Sequence, residues 1–524
     1  MNIRSNVAII YSEESRQAFI AEAKTKGLIY QFQGSRGTMH WLLGDAAYLA
    51  VNGAANLLRR LGVKFDILRE EECSEECLRE YHTIFIPNAC RLSEQAIAAV
   101  KRWLEGDATL VVSGRTNLPD YLLNCKTIRL TTPVFEYAAG ILQGATCIEP
   151  VRKLLGNKAN FHVDRLAQYI KDTLLRHGGE RLWQTRLKLW GKYDNVLVLR
   201  HDTDDSTDPS YLDYEIAHKI PATYAILPDR NMRFYLSRLD GHDFLEGAYH
   251  YTTAISRPWL QQVKPNKKAI TGRGLAKQVE EAKKEFNIPI STVHRHWGYF
   301  YYPETIEAMD YLYESHPEII GTGTMFRFTS LMYSDRGPAN EHLVNEPRTV
   351  DHHDISVPFW FPFKMMVSAI ERHEPLRGWD ITHRIEPPPS FIDTVFDEAE
   401  MLPGGVYMFG FHPAHARRDS FIPGGNYPWF LYGLSKAKER GWWITNYRSL
   451  LQRLNDWEDI NFRVSQDGSV VLSNTTDREI TDLVVSFNGK DIDVPTLKAH
   501  STTQVEYKTN RKKGGEDAHS TGKC

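Results

Sequence analysis

The chain lacks any apolar run near the roughly 18 residues that a membrane-spanning helix needs, so no transmembrane helix is expected. Met1-Asn-Ile-Arg-Ser-Asn passes straight into Val7-Ala-Ile-Ile-Tyr11, a strand's length of apolar residues without a small-residue cleavage pattern. No secretory signal is therefore expected, and a cytoplasmic location is. An excess of charge of either sign is also missing. Lys plus Arg total 63 and Asp plus Glu 66, a net charge of -3, which removes the electrostatic case for nucleic acid as the main partner. Cysteine is sparse: Cys73, Cys77, Cys90, Cys125, Cys147 and Cys524. Cys73 and Cys77 have no second pair at zinc-ribbon spacing, so free thiols in a reducing compartment are expected.

The length, 524 residues, suffices for two or three domains with buried cores. Aromatics reach 11%, with 12 Trp and 25 Tyr. Two readings of that richness stay open: a surface on which flat sugar faces stack, or large aromatic cores.

Along the chain, residues 1–148 alternate strand and helix signals. Strands are expected at Val7 to Tyr11, Val63 to Leu68, Thr83 to Pro87 and Thr109 to Ser113, and helices at Asp45 to Leu61 and at Ser93 to Leu104 with Ser93 as N-cap. That is a flavodoxin-like, doubly wound α/β pattern. Residues 149–192 read as a basic helical connector, 193–456 as a long α/β segment, and 457–508 as a small all-β appendage with period-two alternation around Gly and Asn turns. Residues 509–524 are polar and expected to be disordered.

The most informative cluster is Asp202-Thr-Asp204-Asp205, at the end of the apolar run Val196 to Leu199. Parallel α/β sheets place their chemistry at the carboxyl ends of strands. Three carboxylates in four residues repel one another unless a cation sits among them or one stays protonated. Other apolar or small-residue approaches end on histidines: Gly247-Ala-Tyr-His250, Ile290-Ser-Thr-Val-His294-Arg295-His296 and Val406-Tyr-Met-Phe-Gly-Phe-His412. Several strand ends, each with a metal-type ligand or titratable group, form a barrel-type site. His352, His353, Asp354, Asp380 and His383 read as loop residues.

Two resemblances follow. Phe85-Ile-Pro-Asn-Ala-Cys-Arg-Leu-Ser93 with Ala108-Thr-Leu-Val-Val-Ser-Gly-Arg-Thr116 resembles class I glutamine amidotransferase-like domains. A working amidotransferase needs a cysteine on a strained strand-to-helix elbow. Gly114-Arg115-Thr116 has none and Cys90 lacks a Gly-x-Cys-x-Gly setting, so a non-catalytic domain is expected. Residues 193 to about 450 resemble the polysaccharide deacetylase superfamily (carbohydrate esterase family 4, NodB-like), in its divergent Asp-x-Asp branch. The resemblance implies a central distorted (β/α) barrel. Arg200-His-Asp-Thr-Asp204 matches that branch, which makes Asp202 the general base and Asp204 a metal ligand; a shifted registration uses Asp204 as base and Asp205 as ligand.

The family's second motif, His-(Ser/Thr)-x-x-His, is half kept: His250 is present, but Ala254 stands at the second position. The resemblance then implies His250 as one ligand and a further one from a later strand, where His294 is preferred over His296. Arg295 is a loose counterpart of the arginine that orients the base. Phe409-Gly-Phe-His412-Pro413 matches the last motif and makes His412 the general acid. The implied cofactor is a divalent ion, zinc foremost, and the implied partner a carbohydrate substrate. The implied activity is removal of an N-acyl group from an amino sugar. Allantoinase-like hydrolysis of a non-sugar C–N bond is the alternative within enzymes. Outside them stands a degenerate deacetylase fold that only binds glycans, which the missing second histidine favours.

Overall fold

The run Val196 to Leu199 is a strand, and it continues through the first aspartate as Val196–Asp202. Its residues alternate between two cores. Leu197 and Leu199 face one apolar cluster together with Tyr211, Leu212, Phe430 and Leu434, while Val196 and Val198 face another with Val406, Tyr447, Leu450 and Leu454. A strand buried on both sides belongs to a parallel sheet.

The computed structural model describes residues 5–26, 29–34, 37–42, 46–124, 127–130, 162–177, 179, 181–203, 206–252, 271–296, 311–324, 353–356, 359–360, 393, 396–397, 400, 403–417, 427–465 and 468–506. In the central sheet the strands run in the order His353–Ser356, Gly321–Thr324, Thr292–His296, Leu245–Thr252, Ala222–Ile226, Val196–Asp202, Val406–Phe411 and Phe359–Trp360, all parallel. A ninth strand, Trp443–Thr445, pairs with the start of Val196–Asp202. Val196 to Val198 pair with it and with Val406–Phe411 at once, so these two neighbours take opposite edges. Ala222–Ile226 pairs with Arg200 to Asp202 on the edge that Trp443–Thr445 leaves. The two end strands of the sheet are consecutive in the chain, with two residues between them. Three Cα–Cα steps span about 11 Å at most, so the sheet rolls until its ends nearly meet. The expected distorted barrel is of this kind.

Helices cover the outer face. Ser210–His218 and Tyr427–Glu439 pack on Leu197 and Leu199, and Gly433 admits the ring of Phe409 where a Cβ would collide with it. His353 and Asp354, expected in a loop, lie on the strand His353–Ser356, because backbone pairing with Gly321–Thr324 outweighs their weak strand preference.

Five parallel strands of the amino-terminal part, Val7–Tyr11, Asp66–Arg69, Thr83–Pro87, Thr109–Ser113 and Thr127–Leu130, form a second sheet. Numbered along the chain, their spatial order is 2-1-3-4-5, the flavodoxin-like order. Helix Glu94–Leu104 packs on one face, its N-cap Ser93 accepting the Ala96 N–H. A separate hairpin pairs Ile29–Gly34 with Gly37–Leu42. In the carboxyl-terminal part, Ile460–Val464, Val470–Asn474 and Thr502–Val505 form one antiparallel sheet. Val484–Phe487 pairs with Lys490–Asp493 and, from within the connector region, with Thr185–Leu187. Cys73, Cys77 and Cys90 are free thiols. Among the described residues no helix is long and apolar enough to cross a membrane.

Candidate active site

Alternation decides which side chains meet inside the barrel. On Val196–Asp202 it puts Arg200 and Asp202 on the face of Val196 and Val198, and turns His201 outward. There His201 Nε2 meets Glu215 Oε1 at 2.7 Å, and its ring packs between Tyr211 and Tyr224. On the next strands, Ala225, Ala248, His250, Thr292 and His294 alternate with the outward Tyr224, Ile226, Tyr249 and Val293.

Asp202 is 2% exposed, and its two oxygens face different partners. Arg200, fully buried, donates from Nε to Oδ1 at 2.7 Å, with Nη2 at 2.7 Å from the same atom. Oδ2 stands 3.9 Å from His250 Nε2 and 3.9 Å from His412 Nε2. The three groups come from the carboxyl ends of three parallel strands, as the sequence predicts for Asp202, His250 and His412.

The hydrogen bonds around the histidines settle protons. His250 Nδ1 lies 3.1 Å from the carbonyl oxygen of His294, its register partner on the next strand. A carbonyl only accepts, so Nδ1 carries a proton, and Nε2 is the ring nitrogen turned toward Asp202. His294 is fully buried, its ring edge-to-face with Tyr447 at 4.7 Å. Burial first, and then the Arg200 charge, hold its pKa well below 6.5, so the imidazole is neutral. Among the described residues His294 Nδ1 has no hydrogen-bond partner. His412 follows Val406–Phe411 directly and opens the short 3₁₀ turn Pro413–His415. At 8% exposed it is the least enclosed of the three histidines.

Asp204 and Asp205 lie outside the described residues, as do the side chains of Arg295 and His296; the backbones of the latter two pair with Tyr251 and Thr252. The arginine that touches Asp202 is Arg200, two residues before it on its own strand. Sequence reasoning gave Arg200 no role, although period-two alternation was the signal that puts it beside Asp202. Tyr447 was also missed. It is fully buried beside Arg200, whose charge opposes the upward push that burial gives the phenol.

Among the described residues no three His, Cys, Asp or Glu side chains stand close enough to hold an ion by themselves. The donor chemistry nonetheless suits one: His250 Nε2 facing a carboxylate, and, among the described residues, a buried His294 nitrogen without a hydrogen-bond partner. In the amino-terminal sheet, the strand Thr83–Pro87 is followed by Asn88 at φ 48°, its Oδ1 accepting the Arg115 N–H, and by Cys90, three residues before the N-cap Ser93; the turn after Thr109–Ser113, Gly114-Arg115-Thr116, carries no cysteine.

No family model and no curated protein matches the chain. Solved structures give weak likenesses. One is a candidate polysaccharide deacetylase involved in O-antigen biosynthesis from Bordetella bronchiseptica, 11% identical over 50% of this chain and 90% of that one, at a TM-score of 0.27. Another is a peptidoglycan N-acetylglucosamine deacetylase, 15% identical over 50% of this chain and 94% of that one, at 0.23. A candidate sugar-binding protein from Salmonella typhimurium LT2 is 9% identical over 60% and 88%, at 0.18. At such scores these likenesses carry no argument about this chain.

Proposed function

We propose that the protein is a metal-dependent hydrolase that removes an N-acyl group, N-acetyl foremost, from an amino sugar in a poly- or oligosaccharide or its precursor. The observation that carries this reading is Asp202, fixed by Arg200 through one oxygen and faced by His250 and His412 through the other. The resemblance of Arg200 to Asp204 and of Phe409 to Pro413 to deacetylase motifs supports it.

His250, Asp204 and His294 would hold the divalent ion, which supplies Lewis-acid polarisation of the acyl carbonyl and lowers the pKa of water. Asp202 accepts the proton of the attacking water at Oδ2, since Oδ1 is engaged by Arg200. His412, 3.9 Å from Oδ2 of the base and the least enclosed of the three histidines, delivers a proton to the departing nitrogen. An amine anion is too poor a leaving group to depart alone, and an imidazole titrates in the range that suits this transfer. His250 faces the same oxygen, but its Nδ1–H is taken up by the His294 carbonyl, and its Nε2 is the atom it would offer to the ion.

The test combines metal content with turnover. Protein prepared without chelator is expected to carry one equivalent of divalent metal and to release free amine from N-acetylated oligosaccharides. Asp204→Ala loses the metal, whereas Asp202→Asn keeps it and loses about 10²- to 10⁴-fold in rate. Metal-free wild-type protein that releases no amine would leave the glycan-binding reading in its place. Turnover of cyclic amides but not of sugars would favour the allantoinase-like alternative.

A further inference from the structure

Beneath Asp202 the barrel interior holds a second carboxylate that the proposed chemistry does not use. Glu246, 1% exposed, lies four residues before His250 on the same strand face. Its Oε1 accepts from Thr292 Oγ1 at 2.5 Å and Ser291 Oγ at 3.1 Å. Its Oε2 accepts from Thr223 Oγ1 and the Arg448 N–H, both at 2.8 Å. These four donors fill the acceptor positions of the Glu246 carboxylate.

The hydroxyl proton of Thr292 is therefore committed to Glu246. Thr292 Oγ1 also stands 3.2 Å from His294 Nε2. A hydroxyl has one proton, so in this second contact its oxygen can only accept, and Nε2 must donate. That places the proton of the neutral imidazole on Nε2 and leaves a lone pair on Nδ1, the buried nitrogen that has no hydrogen-bond partner among the described residues. Metal-binding histidines commonly have the far nitrogen fixed by a carboxylate or carbonyl; here a hydroxyl relays the carboxylate.

We propose that Glu246 and Thr292 form a relay that locks His294 as the Nε2–H tautomer and so makes Nδ1 its metal-ligating atom. The tautomer follows from hydrogen-bond direction alone; its use as a ligand rests on the hydrolase reading above. Thr292 and Glu246 are positioning residues, since neither touches the reacting atoms.

The tautomer can be read without metal or substrate. In a long-range ¹H–¹⁵N correlation spectrum of metal-free protein labelled with ¹⁵N-histidine, the His294 ring, assigned by its loss in His294→Gln, is expected to show a protonated Nε2 and an unprotonated Nδ1. Thr292→Ser keeps that pattern. Thr292→Val loses it and weakens zinc binding about 10- to 100-fold, while Thr292→Ser binds as the wild type does. A protonated Nδ1 in the wild type would overturn the relay even if the protein binds metal and turns over substrate. The expected tautomer in a protein that binds no metal would leave the relay standing and sink the hydrolase reading. Should Thr292→Val fail to fold, the wild-type and Thr292→Ser spectra still decide the tautomer.

Discussion

Asp202 and Arg200 are a buried ion pair, and such pairs act as a unit. Each compensates the desolvation of the other, so removing one partner leaves a bare charge in a site that is 2% exposed at most. Arg200→Met and Asp202→Leu are each expected to destabilise the fold by about 3–5 kcal/mol, and the double variant by far less than their sum. Urea denaturation of the four proteins measures this; additive losses would mean that the two charges do not depend on each other. Asp202, His250 and His412 were legible in the sequence because each closes an apolar strand run with a residue type that has no packing reason to be there. Thr292 and Glu246 were not. A threonine and a glutamate on strands look like ordinary polar positions until the sheet register brings Thr223, Glu246 and Thr292 together. Tyr447 was illegible for a related reason: it opens a helix far downstream in the chain, and only the folded sheet sets it against Arg200 and His294.

Strands that carry their own signal were read correctly, and strands that depend on a distant partner were not. Val196–Asp202 and Thr109–Ser113 are short, β-branched and buried, and the Ser93 N-cap marks its helix. Thr185–Leu187 sits in a basic, helix-like stretch and becomes a strand only through Val484–Phe487, almost at the other end of the chain. The hairpin Ile29–Gly34 with Gly37–Leu42 had only its paired glycines as a cue. Glu246 shows how the elements are joined once formed. Through Ser291, Thr292, Thr223 and the Arg448 N–H it ties Thr292–His296 and Ala222–Ile226 to the first turn of helix Tyr447–Asp459. The negative charge also suits a helix amino terminus. Glu246→Gln keeps the shape and loses charge-assisted bonds, an expected destabilisation of about 1.5–3 kcal/mol; Glu246→Ala also strands several buried donors and is expected to cost more. Thermal denaturation checks the order. A Gln variant as damaged as the Ala variant would show that the charge, not the satisfied geometry, holds this junction.

Helix Tyr447–Asp459 is the piece that all three parts of the molecule share. Its 13 residues span about 20 Å. At its amino end Tyr447 stands against Arg200 and His294. In its middle Arg453 donates to the backbone carbonyls of Leu189, Thr481 and Asp482, which fastens the carboxyl-terminal β structure. At its far end Lys64, from the amino-terminal part, donates to the carbonyls of Trp457 at 2.7 Å and Glu458 at 3.1 Å, and lies over the Trp457 ring. Cations at a helix carboxyl terminus are favourable. Arg59 pairs with Glu458, and both are largely shielded from water. Docking of the amino-terminal sheet therefore draws on two basic residues meeting one helix end, alongside Arg186 to the Leu61 carbonyl, Arg463 to Glu80 and the Val464 N–H to Asn6. Arg59→Met with Lys64→Met leaves Glu458 buried without its cation, a loss of about 3–5 kcal/mol, concentrated at this junction. The wild type is expected to unfold these parts together in calorimetry, and the double variant to melt in two separated transitions, the amino-terminal sheet first. Adding Glu458→Gln removes the stranded charge and is expected to raise the lower transition again. A single transition in the double variant, at the wild-type temperature, would mean that the helix end does not couple the two sheets.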